Sequence, residues 1–328
     1  MADIARETGL TLGTVSRALA AEGKYAIAPE TRERVMQTAT RLGYRPNLIG
    51  RALAAGSSSL VLLTAPLPFE PYYVEISRHL SALAATSGYA FVSGGNLSEN
   101  GVKGPSVSDW FFGVDGIIVC DYLPHQEAYV AEAMRLKIPI VGIGVRHLFD
   151  TDFVKIDLYP AVKSLIEHFA AQGRTNIGYM TGPGTNFEDP RIQAVNDTTA
   201  ALGLTAQFIP CARQSREAGR QAILDFFRSG RSIDALFCEN DMLAVGVSRG
   251  LSELGKRVPE DILLAGCDGM EETLYHPASI TTLVQPLEQA CQIAWAMLEK
   301  RIEGSREPIR TELIAARLEI RQSTSLKN

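Results

Sequence analysis

The chain has 328 residues, about twice the ~150 residues expected of one domain, so two or more packed units are predicted. Its composition, 46% hydrophobic and 21% charged, excludes disordered, collagen-like and disulfide-rich classes. A formal net charge of -5 excludes a chain that is basic throughout and coats nucleic acid or membrane indiscriminately, but the charge is unevenly placed. Residues 1–58 carry eight basic and five acidic side chains, a net +3, whereas the remaining 270 carry 24 and 32, a net -8.

In chain order, Asp3 to Glu7 reads as a short helix, Gly9 as the turn that ends it, and Thr11 as the N-cap of a second helix from Leu12 to Leu19. Helix, glycine-containing turn and helix make a helix-turn-helix, whose second helix enters the DNA major groove. There Val15, Ala18 and Leu19 share one face, while Leu12, Gly13, Ser16 and Arg17 point away from it. Arg17 is best placed for a bidentate contact with a guanine edge and Leu12 for a thymine methyl; Thr11, Thr14 and Ser16 suit phosphates. A third helix, Glu30 to Leu42, follows Pro29, with Val35, Ala39 and Leu42 closing a small core. Periodicity alone serves a plain amphipathic bundle with a solvated charged face equally well.

A boundary falls at residues 56–59, where Gly56 and three serines intervene. Beyond it strands alternate with helices, the pattern of parallel α/β sheets. The expected strands are Leu60 to Ala65, Tyr89 to Ser93, Gly116 to Cys120, Ile138 to Ile143, Asn176 to Thr181, Ala235 to Cys238 and Ile262 to Cys267. Runs such as Gly116-Ile117-Ile118-Val119 are apolar without alternation, as strands covered on both faces should be. Helices are expected between them, for instance Tyr159 to Gln172 and Glu288 to Ile302. About 270 residues of this kind suit two open sheets.

The five cysteines (Cys120, Cys211, Cys238, Cys267, Cys291) are widely spaced in mostly apolar runs and read as buried free thiols. The first residues lack the apolar core of a signal peptide, and no run approaches the ~20 apolar residues of a membrane span, so the expected compartment is the cytoplasm. Gly182-Pro183-Gly184 follows a strand, but Phe187 stands where a dinucleotide fingerprint needs its third glycine. There is no phosphate-binding Walker loop, the five histidines are scattered, and no nucleophile has a recognisable base. No cofactor, no metal and no enzymatic activity are expected.

Taken together, Thr14-Val15-Ser16-Arg17, Thr31-Arg32-Glu33-Arg34-Val35, Leu42-Gly43-Tyr44-Arg45-Pro46-Asn47 and Arg51-Ala52-Leu53 resemble the headpiece of a LacI/GalR-type transcriptional regulator. The likeness continues through Val114-Asp115-Gly116, Glu239-Asn240-Asp241, Val258-Pro259-Glu260-Asp261, Ala265-Gly266-Cys267-Asp268, Ile280-Thr281-Thr282-Leu283 and Ile320-Arg321-Gln322-Ser323-Thr324, in the family's order.

The resemblance implies an α/β fold: a small all-α headpiece (1–45), a hinge helix and linker (46–58), and a two-lobed periplasmic-binding-protein-like domain (59–328) with two doubly wound parallel sheets. One lobe would comprise about 60–156 and 287–311, the other about 157–286 and 312–328. Thr11, Leu12, Gly13, Thr14, Ser16 and Arg17 would meet DNA from the headpiece, and Asn47, Arg51 and Leu53 from the hinge, with Leu53 wedged into the minor groove. The effector, most simply a sugar, would lie between the lobes against Glu70, Tyr72, Tyr73, Asp157, Arg191, Asn240, Asp268 and Gln285. Carboxylates accept hydroxyl protons, arginine and amides donate, and tyrosine stacks on a sugar's C–H face.

Local alternatives exist: core packing for Tyr72 or Tyr73, and helix caps for Asp157 and Asn240. Arg191 and Asp268 have no evident local task. The expected partners are double-stranded DNA with a pseudo-palindromic operator, a small-molecule effector and a second copy in a homodimer, with no membrane. No heptad segment follows Ser323-Thr324, so a coiled-coil tetramer is not expected. A solute-binding protein or a sugar-processing enzyme on the same scaffold is the rival.

Overall fold

The computed structural model describes residues 1–19, 26–44, 57–67, 69–94, 113–121, 127–145, 150–183 and 189–326. The chain divides into two compact units, Met1–Ser58 and Ser59–Asn328.

The first unit holds α1 (Ala2–Thr8), α2 (Leu12–Ala18) and α3 (Pro29–Arg41). Gly9 ends α1 at φ 65, a left-handed conformation that a residue without a Cβ adopts easily. Thr11 caps α2, its side chain accepting from the Thr14 N–H at 3.2 Å. Pro29 opens α3, where the missing N–H is no loss. Ile4, Val15, Ala18, Val35 and Ala39 form the core, flanked by Leu10, Leu19, Ile27 and Tyr44. Arg32 Nη1 donates to the Ala18 carbonyl at 2.8 Å, so α3 ties down the last turn of α2.

Leu42 is not in this core; it is 38% exposed. It stands just past the last helical turn, and Gly43 at φ 60 then reverses the chain. The Gly43 N–H bonds to Thr40 O at 3.0 Å and the Tyr44 N–H to Ala39 O at 2.8 Å, which closes the helix and brings Tyr44 back to the place expected of Leu42.

The second unit runs β1 (Leu60–Thr64), α4 (Pro71–Thr86), β2 (Ala90–Gly94), β3 (Gly116–Cys120), α5 (Glu127–Arg135), β4 (Ile140–Gly144), β5 (Asp152–Asp157), α6 (Tyr159–Ala171), β6 (Asn176–Thr181), α7 (Pro190–Leu202), β7 (Thr205–Pro210), α8 (Arg216–Arg228), β8 (Ala235–Cys238), α9 (Asp241–Glu253), β9 (Leu263–Asp268), β10 (Thr281–Val284), α10 (Leu287–Ile302), β11 (Thr311–Ala315) and β12 (Arg317–Glu319). Two six-stranded sheets result, in the orders β11-β5-β4-β3-β1-β2 and β12-β10-β9-β8-β6-β7. The first is parallel throughout; the second is parallel except for its edge strand β12, which runs antiparallel to β10. The central strands β3, β4 and β8 are buried at every residue, which is why they read as unbroken apolar runs.

The chain crosses between the sheets three times: after β5, after β10, and at Ala316. The last crossing corrects the lobe boundary expected at 311/312. Residues 311–315 pair with β5 in the first sheet, and only residues 317–319 pair with β10 in the second, so one extended segment serves both. Helix α10 returns to the first sheet and is pinned there by Arg301, whose Nε and Nη2 meet the two Asp152 carboxylate oxygens at 2.7 and 3.0 Å. The Arg310 N–H donates to the same carboxylate at 3.0 Å, gathering α10, β5 and the approach to β11 on one acceptor.

No helix among the described residues is long and apolar enough to cross a membrane. All five cysteines are buried free thiols. Leu63 is fully buried in β1 at the centre of the larger core. Leu63→Ala should cost about 2–5 kcal/mol, read as a lower urea midpoint at unchanged slope.

Candidate functional site

The exposed face of α2 carries no structural duty apart from its first turn. Val15 and Ala18 are fully buried, whereas Leu12 is 54% exposed and Gly13, Ser16 and Arg17 are exposed beside it. Arg17 Nε donates to the Gly13 carbonyl at 3.1 Å, laying the side chain back along the helix. Its guanidinium stays at the surface, a group that matches the paired acceptors of guanine. Thr11 and Thr14 share a hydroxyl contact at 3.0 Å at the helix start, where N–H groups and hydroxyls suit a phosphate. Asn47, Arg51 and Leu53 lie outside the described residues.

In the second unit the parallel strands of each sheet end on a common edge, and ligands of open α/β sheets bind outside such carboxyl ends. Several expected effector residues stand there. Asp157 and Asp268 are the last residues of β5 and β9, Asn240 follows β8 by two, and Gln285 follows β10. Glu70, Tyr72 and Tyr73 come from the start of α4, which Pro71 opens.

Three of them form one hydrogen-bonded chain. Tyr72 Oη donates to Gln285 Oε1 at 3.1 Å, and Gln285 Nε2 donates to Asp268 Oδ1 at 2.8 Å. Tyr72 belongs to the first lobe, Asp268 to the second, and Gln285 to the crossing between them. Tyr73 packs edge-on against Tyr72 with ring centroids 5.0 Å apart and donates to Asp121 Oδ2 at 3.3 Å. Both tyrosines are therefore largely buried as core residues while their hydroxyls serve the polar edge. Burial first, then the charges of Asp121 and Asp268, pushes both phenols well above the usual tyrosine range.

Arg191 does have a local task, contrary to expectation. Its side chain is only 13% exposed. Nε and Nη2 meet the two Asp189 carboxylate oxygens at 2.9 and 2.7 Å, and Nη1 reaches the Glu239 carbonyl at 3.0 Å. Nη2 also meets Glu239 Oε1 at 3.2 Å. A guanidinium braced this way presents a fixed polar surface. Asp189 additionally caps α7 through the Arg191 N–H.

Asn240 accepts from the Leu243 N–H at 2.9 Å as the cap of α9, the structural role weighed for it, whereas Asp157 accepts from the Tyr159 N–H at 3.1 Å from one residue before the N-cap position of α6, which Leu158 holds. Glu70 occupies the N-cap position of α4, half-buried, with no side-chain capping bond.

Asp268 also lacks freedom. It sits at φ 120, rare for a residue with a side chain, and Gly269 follows at φ 81 against Val284. Burial and then the charge of Asp241 push its carboxyl well above the usual range. Asp241 is fully buried at the start of α9, accepting from Thr282 Oγ1 and from the Met270 N–H, both at 2.7 Å. Burial raises it to about 7 against the pull of those bonds. Gly266 leaves the space that the Asp241 carboxylate fills.

Asp121, Asp189 and Glu239 escaped the sequence reading. Asp121 and Glu239 share a signal that could have found them: each is the first polar residue after a fully buried parallel strand. An open pocket of about 460 Å³ is lined by Glu75, His79, Met270 and Glu288, with Asp268 and Gln285 on its wall. No group of three or more metal-ligating side chains occurs among the described residues.

Comparison with known proteins fits this architecture. Residues 1–47 match the family "Bacterial regulatory proteins, lacI family", and residues 166–324 match "Periplasmic binding protein-like domain". The chain is 26% identical to Catabolite control protein A of Priestia megaterium over 98% of each chain. It is also 26% identical to the HTH-type transcriptional repressor CytR of Escherichia coli, over 99% of this chain and 96% of that protein. In fold it resembles the lac repressor dimer bound to operator and an anti-inducer (TM-score 0.81, 22% identity, 98% of each chain) and a CelR–cellobiose complex (TM-score 0.71, 22% identity, 98% of each chain).

Two outcomes are expected. Arg191→Met leaves the buried Asp189 and Glu239 carboxylates without their counter-charge and should lower stability by about 3–5 kcal/mol in urea unfolding. Because the folded pKa of Asp241 lies above its ordinary 3.8, the folded state binds the extra proton, and this contribution is lost as pH rises from about 4 to about 7. Unfolding measured across that window should therefore show the wild type losing stability relative to Asp241→Asn.

Proposed function

Since this chain belongs to the lacI family of bacterial regulatory proteins, we propose that it is a sequence-specific repressor of carbohydrate uptake or catabolism genes, released from DNA by a small sugar. The observation that carries this reading is the pairing, in one chain, of a helix-turn-helix whose reading face is bare with a two-sheet body whose polar groups collect at strand ends. A ribose operon repressor of Halalkalibacterium halodurans is among the relatives and points the same way.

Two headpieces of a homodimer bind the half-sites of a pseudo-palindromic operator. Arg17 reads a guanine edge, Leu12 contacts a thymine methyl, and Thr11, Thr14 and Ser16 hold the backbone, with Gly13 at the interface. Asn47, Arg51 and Leu53 in the 46–58 hinge add backbone and minor-groove contacts. The effector lies against Tyr72, Tyr73, Asp268 and Gln285, with Glu70, Asp157, Arg191 and Asn240 around it. It acts by binding the released state more tightly than the DNA-bound state, a coupling of about 1–3 kcal/mol in typical cases. The protein works in the cytoplasm, where its DNA is.

The test uses the full chain and an operator enriched from random duplexes. By fluorescence anisotropy, Arg17→Ala should lose about 10- to 100-fold of the discrimination against a changed guanine while thermal shifts by sugars stay as in the wild type. Retained discrimination, with sugar response abolished instead, overturns the assignment.

A further inference from the structure

Asp121 is held more firmly than a loop carboxylate needs to be. Its N–H donates to the Ile143 carbonyl at 2.9 Å, extending the pairing of β3 with β4, and its backbone adopts φ 41. Its carboxylate lies over Gly144, where any side chain would collide with Oδ1, and Oδ2 receives the Tyr73 hydroxyl at 3.3 Å. Across the paired tyrosines Asp268 is its counterpart: it ends a buried parallel strand of the other lobe, also at positive φ, and is bonded through Gln285 to Tyr72. Thus two carboxylates, one per lobe, flank the same two phenols at the carboxyl edges of both sheets.

Resting on the carbohydrate-sensor reading above, we propose that Asp121 is a specificity residue which, with Asp268, forms a charge filter: the effector is a neutral polyhydroxy or amino sugar, and sugars bearing a phosphate or carboxylate are rejected. A carboxylate accepts hydrogen bonds and donates none, so each of the pair suits a hydroxyl or ammonium donor on the ligand better than another acceptor. An anionic ligand brings further negative charge to an edge already lined by acidic side chains, where such charges are weakly screened. The guanidinium that acts on Asp268 is that of Arg191, already committed to Asp189 and Glu239. Asp121 is among the charges that raise Asp268, as expected of like charges near one another.

The experiment is calorimetric titration of the full chain with ribose, glucose, cellobiose and glucosamine, and with the matched anions ribose 5-phosphate, glucose 6-phosphate and gluconate. A neutral or amino sugar should bind at least about ten-fold more tightly than its anionic counterpart. Asp121→Asn keeps the shape and the Tyr73 contact but removes the charge. It should weaken the preferred sugar about ten-fold and narrow the neutral-to-anion ratio, with operator binding in the absence of sugar unchanged. Asp268→Asn should narrow the same ratio and stands in if the first variant folds poorly. An anion that binds as tightly as its neutral counterpart, or a ratio unmoved in both variants, overturns the filter while leaving the sensor reading intact. Absence of binding by all seven compounds overturns both.

Discussion

A strand covered on both faces has no place along its length for a charge, because a buried ion without a partner costs several kcal/mol. In this molecule β3, β4 and β8 are buried throughout, so polarity is driven to their ends. Parallel pairing then does what no single strand could, collecting the ends of many strands on one edge. Asp121, Asp157, Glu239, Asp268 and Gln285 come from places far apart in the chain and arrive at those edges for one reason. The polar set is thus a by-product of how the sheets are buried, and the α4 tyrosines supply the apolar surface that such a set lacks.

The lobes are connected by more than three strands of backbone. Tyr72, Gln285 and Asp268 run a hydrogen-bonded line from the first lobe through a crossing to the second, and the Arg301–Asp152 pair fixes the helix that follows the same crossing. Asp268 and the start of α4 thus share one hydrogen-bonded chain. Asp268 in turn shares its backbone turn with Asp241, whose carboxylate holds the Met270 N–H and the Thr282 hydroxyl. A ligand at this edge therefore meets groups already coupled to one another, the condition for small contacts to bias a larger rearrangement.

Much of this was legible in the sequence, and the boundary of legibility has physical causes. The central strands stood out as apolar runs, and Gly116 to Cys120, Asn176 to Thr181 and Ala235 to Cys238 match residue for residue. The strands that did not stand out as apolar runs, Asp152–Asp157, Thr205–Pro210, Thr281–Val284, Thr311–Ala315 and Arg317–Glu319, lie at or near sheet edges and carry polar residues that solvent, ion pairs or side-chain hydrogen bonds accommodate. Asp152 reads as a loop residue until Arg301, 149 positions away, is seen beside it. The Thr11 cap and the Gly9 turn were readable because they are local. Of the Arg191 brace, the Asp189 half lies only two residues away and was within reach of a local reading; the Glu239 half was not, because Glu239 lies 48 residues downstream.

The two recognition surfaces differ in how tightly they are woven into the fold. On α2, Leu12, Ser16 and Arg17 face outward, and a side chain added at Gly13 would meet nothing nearer than Thr11 Oγ1 at 3.9 Å. At the sheet edges, Arg191, Asn240, Asp157 and Asp268, the residues proposed to meet the effector, each hold a helix start, an ion pair or a strained turn. Over evolutionary time, then, descendants of this protein can exchange the DNA words they answer to by single substitutions that leave folding untouched, whereas a change of chemical signal requires compensating mutations in the scaffold. Duplicated copies should diverge in target genes sooner than in the molecule they sense.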